Sequence, residues 1–310
     1  MRVFVTGASG WIGSGLVPDL IAAGHEVVGL ARSDDAAGAV AALGAKVHRG
    51  SLDDLDGLRT AAASADGVIH LAFRHDLAFT GDMAGAAAAD RMAIEVLGDA
   101  LEGSDRPLVI ASGVFGIAPG QVATEQDATE DSGGTDVPIE GGHDRMANAH
   151  YTVSLASRGV RSSVLRLPPT CHGDGDNGFM AMLVGIARDK GVSGYVGDGS
   201  ARWPATHRLD VARAFRLALE QAPGGSTLHG VAEQGVPGRA FAEVMGRKLD
   251  LPVVSVSPQD ALGHFGFLGF LLPIDSVASS ERTRAVLGWE PTHPGLLEDL
   301  GEDHYYSSKD

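Results

Sequence analysis

Residues 140–151, EGGHDRMANAHY, gather His143, Arg145, His150 and Tyr151 around the start of a helical pattern. An imidazole titrates near neutrality and can pass a proton. A guanidinium is a fixed cation that can hold a developing oxyanion. Spacing limits what the two can do together. His143 and Arg145 are two residues apart, so they do not share a helix face as an i, i+4 pair would. Two readings stay open: a proton-transfer apparatus, or polar residues at an amphipathic helix start. The periodicity puts Met146, Ala149 and Val153 on the buried stripe and leaves His143 ahead of it, free to enter a cleft. A second polar run, HGDGDNG at His172–Gly178, lacks an oxygen ligand at Gly178 and a glutamate at Gly185, so it reads as a loop and no metal site is expected. Cys171, the single cysteine, has no evident activating base and reads as a small buried residue.

Such side chains need a scaffold, and the chain is long enough for a large one. Its 310 residues are 44% hydrophobic and 21% charged, as in an ordinary globular protein. A formal net charge of −16 argues against a broad basic surface for nucleic acid or anionic membrane. One cysteine excludes an internal disulfide framework. Met1 leads directly into RVFVTG, without the basic and long apolar regions of a signal peptide, and the longest apolar run, near Phe267–Pro273, is too short to span a bilayer. The expectation is a cytoplasmic protein, monomer or homodimer, with a small-molecule substrate.

Short β-branched runs at Val3–Thr6, Glu26–Leu30, Lys46–Arg49, Val68–Leu71, Leu108–Ser112, Ser163–Leu167 and Thr227–Val231 alternate with alanine-rich helical patterns. The runs are apolar almost throughout, as in strands covered on both faces. This predicts an α/β fold: a doubly wound parallel sheet with a smaller C-terminal cap. The dinucleotide-binding part is expected over residues 1–172 with 204–232 returning to it, and the cap over 173–203 and 233–310. Residues 117–143 interrupt the alternation with a polar segment carrying six carboxylates, a mobile lid or a solvated loop.

The strongest signal is VFVTGASGWIGSGL, a strand, a glycine loop and a helix in succession. Gly7 suits a tight turn, Gly10 lets the backbone approach a pyrophosphate, and Gly13 lets helix and strand pack closely. Free N–H groups and the helix dipole then favour the anion.

With GSLDD at Gly50–Asp54, VIHLAF at Val68–Phe73, ASGVFG at Ala111–Gly116, TED at Thr129–Asp131, RLPPTCHGDG at Arg166–Gly175, WPATHRLDVARAF at Trp203–Phe215 and LGWEPTH at Leu287–His293, that loop resembles the extended short-chain dehydrogenase/reductase superfamily, which includes NAD-dependent epimerases and dehydratases. The resemblance covers nearly the whole chain and implies a Rossmann fold. It assigns the pyrophosphate to Ser9, Gly10, Trp11, Ile12 and Gly13, with Gly7 opening the turn. Ser51 and Leu52 would flank the adenine; Leu71, Ala72 and Phe73 would line the ribose and nicotinamide side. NAD-preferring relatives end the second strand on an acidic residue, whereas this chain has Ala31 followed by Arg32. A guanidinium there suits a 2′-phosphate, so NADP is expected, with NAD possible.

The resemblance also implies a serine or threonine after the fifth strand and a Tyr-x-x-x-Lys pair on the next long helix. The tyrosine would fall near 140–143 and the lysine near 144–147, and neither is present. Tyr151 has Leu155 four residues on, so it is no disguised copy. Ser112, His143 and Arg145 are therefore the catalytic candidates of an atypical branch. Arg74 and His75, just after LAF, are further ones. His207 is either a substrate-facing or a buried structural histidine. The leading expectation is an NADP-dependent oxidoreductase acting on a carbonyl or hydroxyl. The alternatives are a sugar-nucleotide epimerase or dehydratase, and a regulator that senses NADP(H) without turning it over.

Overall fold

The computed structural model describes residues 1–118, 120–127 and 142–307, without the side chains of Phe79 and His143. Along the chain, β1 (Arg2–Thr6), α1 (Gly13–Ala22), β2 (Glu26–Ala31), α2 (Asp34–Ala42), β3 (Lys46–Arg49), α3 (Leu55–Ala63) and β4 (Gly67–His70) alternate. Two helices, α4 (His75–Phe79) and α5 (Met83–Leu101), precede β5 (Pro107–Gly113). After the short β6 (Val122–Ala123) come α6 (Gly142–Ser154), β7 (Arg161–Leu167) and β8 (Thr170–His172). Next follow α7 (Phe179–Lys190), β9 (Ser193–Val196), β10 (Arg202–His207), α8 (Arg208–Gln221), β11 (Ser226–His229) and β12 (Glu233–Pro237). The remainder holds α9 (Gly238–Leu249), β13 (Val253–Val256), α10 (Ala261–Phe265), α11 (Leu268–Leu271), β14 (Val277–Ala278), α12 (Glu281–Leu287) and α13 (Leu296–Asp299).

Seven strands form one parallel sheet in the order β11-β7-β5-β4-β1-β2-β3. The order reverses direction at β1 and β4, and ligands of open α/β sheets bind outside the strand C-termini at such a point. Val3, Val5, Ile69, Val109 and Leu165 face one core with α1 and α8, built on Leu16, Leu20 and Phe215. Phe4, Val68, Leu108, Ile110 and Val164 face the opposite core with Leu58 of α3, Ile94 and Leu97 of α5 and Ala149 of α6. Burial on both faces is why these strands read as unbroken apolar runs. The expected Rossmann architecture is the observed one.

The cap has its own core around Trp203, Phe241, Met245, Phe265 and Leu268. It contains the three-stranded sheet β12-β10-β8. Residue 204, where the chain is expected to return, falls inside β10; the return to the main sheet begins with α8. The buried face of α6 also differs from expectation. Asn148, Ala149 and Thr152 are buried, whereas Met146 and Val153 are only half-buried. Two polar residues thus occupy the core side, where an apolar stripe is predicted, because their hydrogen bonds are satisfied there.

Candidate active site at the switch point

The glycine loop is shaped by its own backbone. Gly7 has φ of 69°, and a Cβ on it would stand 2.8 Å from the Ala72 nitrogen. A Cβ on Gly13 would drive into the Gly7 and Ala8 carbonyl oxygens, so Gly13 closes on the loop itself rather than on the strand. At Gly10 the nearest atom to a Cβ is that same oxygen at 3.1 Å, and the residue is exposed. Gly7 and Gly13 are thus glycine for the fold, while Gly10 is glycine for something outside it. Helix α1 has no acid in its first turn, and it lacks a side-chain cap, unlike α2, α3 and α5, which Ser33, Asp54 and Asp82 cap. An uncapped N-terminus behind a bare glycine cradle fits a pyrophosphate.

Ser9 is exposed and Ile12 half-buried beside it. The indole of Trp11 is committed elsewhere. Its Nε1 donates to the Cys171 carbonyl at 2.7 Å and Arg208 lies 4.5 Å over its ring, leaving the backbone of Trp11 to face a ligand. On the adenosine side Arg32 is exposed and makes no hydrogen bond or ion pair with a described residue. Its neighbour Arg49 is used up, donating to the Ser33 carbonyl and the Asp34 carboxylate at 2.5 Å each. Ser51 Oγ accepts from the Asp53 amide, whereas Leu52 is 7% exposed and packs in the core beneath. Arg74 joins two loops, pairing with Asp53 at 3.2 Å and Asp76 at 2.9 Å.

The loop after β4 forms the other half. Leu71 and Ala72 donate their amides to Thr6 Oγ1, both at 3.2 Å. Phe73 follows, with the His75 ring edge-on at 5.3 Å and the Arg145 guanidinium 4.5 Å above its own ring. Arg145 makes no hydrogen bond or ion pair with a described residue; the ring is its contact. Desolvation lowers its pKa and the charge of Asp90 opposes that, but a guanidinium stays protonated throughout. Desolvation first, and Arg145 second, hold the His75 imidazole below its ordinary pKa. Ser112, 3% exposed near the end of β5, has a hydroxyl without a partner among the described residues. Of the catalytic candidates, Arg145 and His75 meet at Phe73. The His143 side chain lies outside the described residues.

Three other groups have partners or burial within the fold. His207 Nδ1 accepts the Leu209 amide at the start of α8, and its ring stacks on His293 at 4.6 Å. Desolvation, then the neighbouring His172 and His293, push its pKa down to about 4. In the HGDGDNG loop, Asp176 is occupied by the Gly178 amide and the Tyr305 hydroxyl, and no group of three or more metal-binding side chains occurs among the described residues. Burial pushes the Cys171 thiol up to about 12, consistent with an unreactive residue. Sequence reasoning misses Asp90 and Asn148. A signal exists: Asp90 sits in register with Ala86, Ala93 and Leu97 on the buried face of α5, where a charge is tolerated only if it is partnered.

A doubly wound sheet with a glycine cradle at its switch point defines a dinucleotide-binding protein. The chain matches the model of the NAD dependent epimerase/dehydratase family over residues 3–229, and it belongs to that family. An uncharacterised protein of Schizosaccharomyces pombe is 45% identical over 99% of this chain and 100% of its own length. A ketoreductase of a farnesylated dihydroquinoline oxide from Stigmatella aurantiaca is 28% identical over 86% of this chain and 80% of its own. The fold is shared with the Thermus thermophilus UDP-glucose 4-epimerase complex with NAD, at a TM-score of 0.74 and 22% identity, covering 99% of this chain and 100% of that one. The protein is a nicotinamide-dependent enzyme of the epimerase/dehydratase type. This corrects the order of the sequence expectations: the epimerase or dehydratase reading fits the comparisons better than a plain NADP reductase. Among the described residues no helix is long and apolar enough to cross a membrane.

Proposed function

We propose that this enzyme moves hydride from a carbinol carbon to the nicotinamide, or from the nicotinamide to the corresponding carbonyl carbon, with His75 and Arg145 serving in place of a tyrosine–lysine pair. The observation that carries the reading is Arg145: a cation over Phe73, beside His75, with no carboxylate within ion-pair distance among the described residues. Ser9, Gly10, Trp11, Ile12 and Gly13 would hold the pyrophosphate, with Gly7 opening the turn. Ser51, Leu52, Leu71, Ala72 and Phe73 would line the rest of the dinucleotide. When bound, the nicotinamide supplies the hydride acceptor or donor. The exposed guanidinium of Arg32, with Ala31 where an acid would select NAD, favours NADP. We place the enzyme in the cytoplasm as a monomer or homodimer, and its charge of −16 argues against nucleic acid as a partner.

His75 is neutral at pH 7 because its pKa is lowered, so it can accept the proton of a substrate hydroxyl during oxidation. In the reverse direction its conjugate acid returns that proton readily. Arg145 stabilises the alkoxide that exists between the two events. Ser112 offers a hydroxyl for orienting the substrate oxygen. His143 stands as the second candidate for the proton. Both enzymatic readings share this first oxidation and differ in the fate of the hydride. Incubation with a panel of ketones, aldehydes and nucleotide sugars separates them. Net NADPH oxidation marks a reductase; product formed without net cofactor change, with the substrate's deuterium label retained, marks an epimerase or dehydratase. Neither outcome over a wide panel, with NADP(H) bound, would leave the sensing regulator.

A further inference from the structure

A buried hydrogen-bond chain runs from the glycine loop to the helix that carries Arg145. It starts at Thr6, the last residue of β1 and wholly buried. Its Oγ1 already accepts the Leu71 and Ala72 amides, so its one proton goes to His70 Nδ1, 2.7 Å away. His70, 2% exposed, is thereby fixed as the Nε2–H tautomer and donates to Asp90 Oδ1 at 3.1 Å. The other oxygen of Asp90 accepts from Asn148 Nδ2 at 2.9 Å, and that amide also donates to the Ala87 carbonyl. Asn148 and Arg145 are three residues apart on α6 and so lie on one side of the helix. Asp90 and Asn148 are 7% and 4% exposed, so the carboxylate's charge is not dissipated by water.

We propose that Asp90 is a positioning residue, which fixes α6 through Asn148, faces Arg145 with the compensating charge, and so holds the guanidinium above Phe73. Through His70 and Thr6 the same carboxylate ties that placement to the two loops assigned to the cofactor. Asp90 does not reach the substrate; it acts through Arg145, and this inference rests on the catalytic reading given above. Its chemistry explains why a carboxylate occupies a helix face that is otherwise apolar. An uncharged residue of the same shape could keep some of the hydrogen bonds, but it would leave Arg145 without its counter-charge.

The test compares D90N, R145M and the double variant by kcat/KM, with NADPH affinity read by fluorescence and the His75 imidazole titrated by NMR in the cofactor-free protein. D90N is expected to lose about 10- to 100-fold in kcat/KM, the scale of a misplaced catalytic group. It should add almost nothing in the R145M background and leave the NADPH affinity within a few-fold. Among the described residues, the groups that act on His75 are Arg145 from α6, which lowers its pKa, and the Phe73 backbone and Asp76 on its own helix, which raise it. If Asp90 holds Arg145 in place, the His75 pKa rises in D90N towards its R145M value. Losing the nearby negative charge while Arg145 stays put would lower it instead. Additive losses in the double variant, or a His75 pKa that is unchanged or lower, would overturn the proposal. Should D90N fail to fold, N148A cuts the tie to α6 alone and is expected to show the same rise. If R145M is fully active, the catalytic reading fails, and the NMR arm still decides the role of Asp90.

Discussion

The glycine loop after β1 and the start of α6 face the same crevice but are built differently. The loop is made by backbone within seven residues: Gly7 at positive φ, Gly13 against the Gly7 carbonyl, and a bare Gly10 between them. The α6 side is made by side chains that are far apart in sequence. Arg145 reaches Phe73, 72 residues earlier, and Asn148 reaches Asp90 across 58. Local backbone sites depend on residue type at fixed offsets. Sites assembled by packing depend on which helix face meets which strand. The first kind tolerates no change at its glycines; the second can exchange its chemical groups while the scaffold stays.

The comparison gives an order of expected effects. Gly13→Val should be the most damaging, because its side chain would drive into the Gly7 carbonyl; loss of both the cofactor and several degrees of melting temperature is expected. Gly10→Val should abolish cofactor binding at nearly native melting temperature, since only the loop's own oxygen is near. Undiminished NADP affinity in that folded variant would refute the placement of the pyrophosphate. Replacing His75 by glutamine or Arg145 by methionine should lower kcat by about 10²–10⁴, the range for a proton-transfer or oxyanion group, with cofactor affinity kept. His143→Ala, measured alongside, shows which imidazole carries the proton. A full-size loss there with an active His75 variant would reverse their roles.

Smaller effects are expected on the cofactor's rim and in the cap. Arg32→Ala should narrow the gap between NADP and NAD by about 1–3 kcal/mol, and an unchanged preference would make Arg32 a surface charge only. His207 gives a stability prediction. Its folded pKa of about 4 lies below the unfolded imidazole value, so the unfolded chain binds more protons between the two. Stability should therefore fall as pH drops from about 6.5 towards 4, by about 2 kcal/mol at pH 5, and His207→Phe should flatten that part of the curve. Denaturant melts across this window check it. Tyr151→Phe should change activity least. Its ring lies under Arg91 and its hydroxyl meets Arg158, between one and two turns along α6 from Arg145.

The same contrast explains what could be read without the structure. The main-sheet strands and α1, α3 and α5 follow from apolar runs, glycine spacing and helical patterns, all local properties. The small sheet of β8, β10 and β12 does not, because its strands come from three separate stretches of chain and pair only through the packing of the cap. Arg145 is recognisable by type, but its partner Phe73 lies in another motif. His75 reads as a weaker candidate from sequence because only packing brings it to Arg145. Asp90 looks like one acid among many until its two oxygens are traced to His70 and Asn148.

A crystal structure with NADP bound would show which side chains border the reacting carbon. The pyrophosphate is expected on the amides around Gly10–Ile12, the 2′-phosphate on Arg32, and the nicotinamide C4 facing a space bordered by Arg145, His75 and Ser112. A nicotinamide ring whose C4 faces away from Arg145 and His75, with other side chains bordering the reacting face, would contradict that expectation.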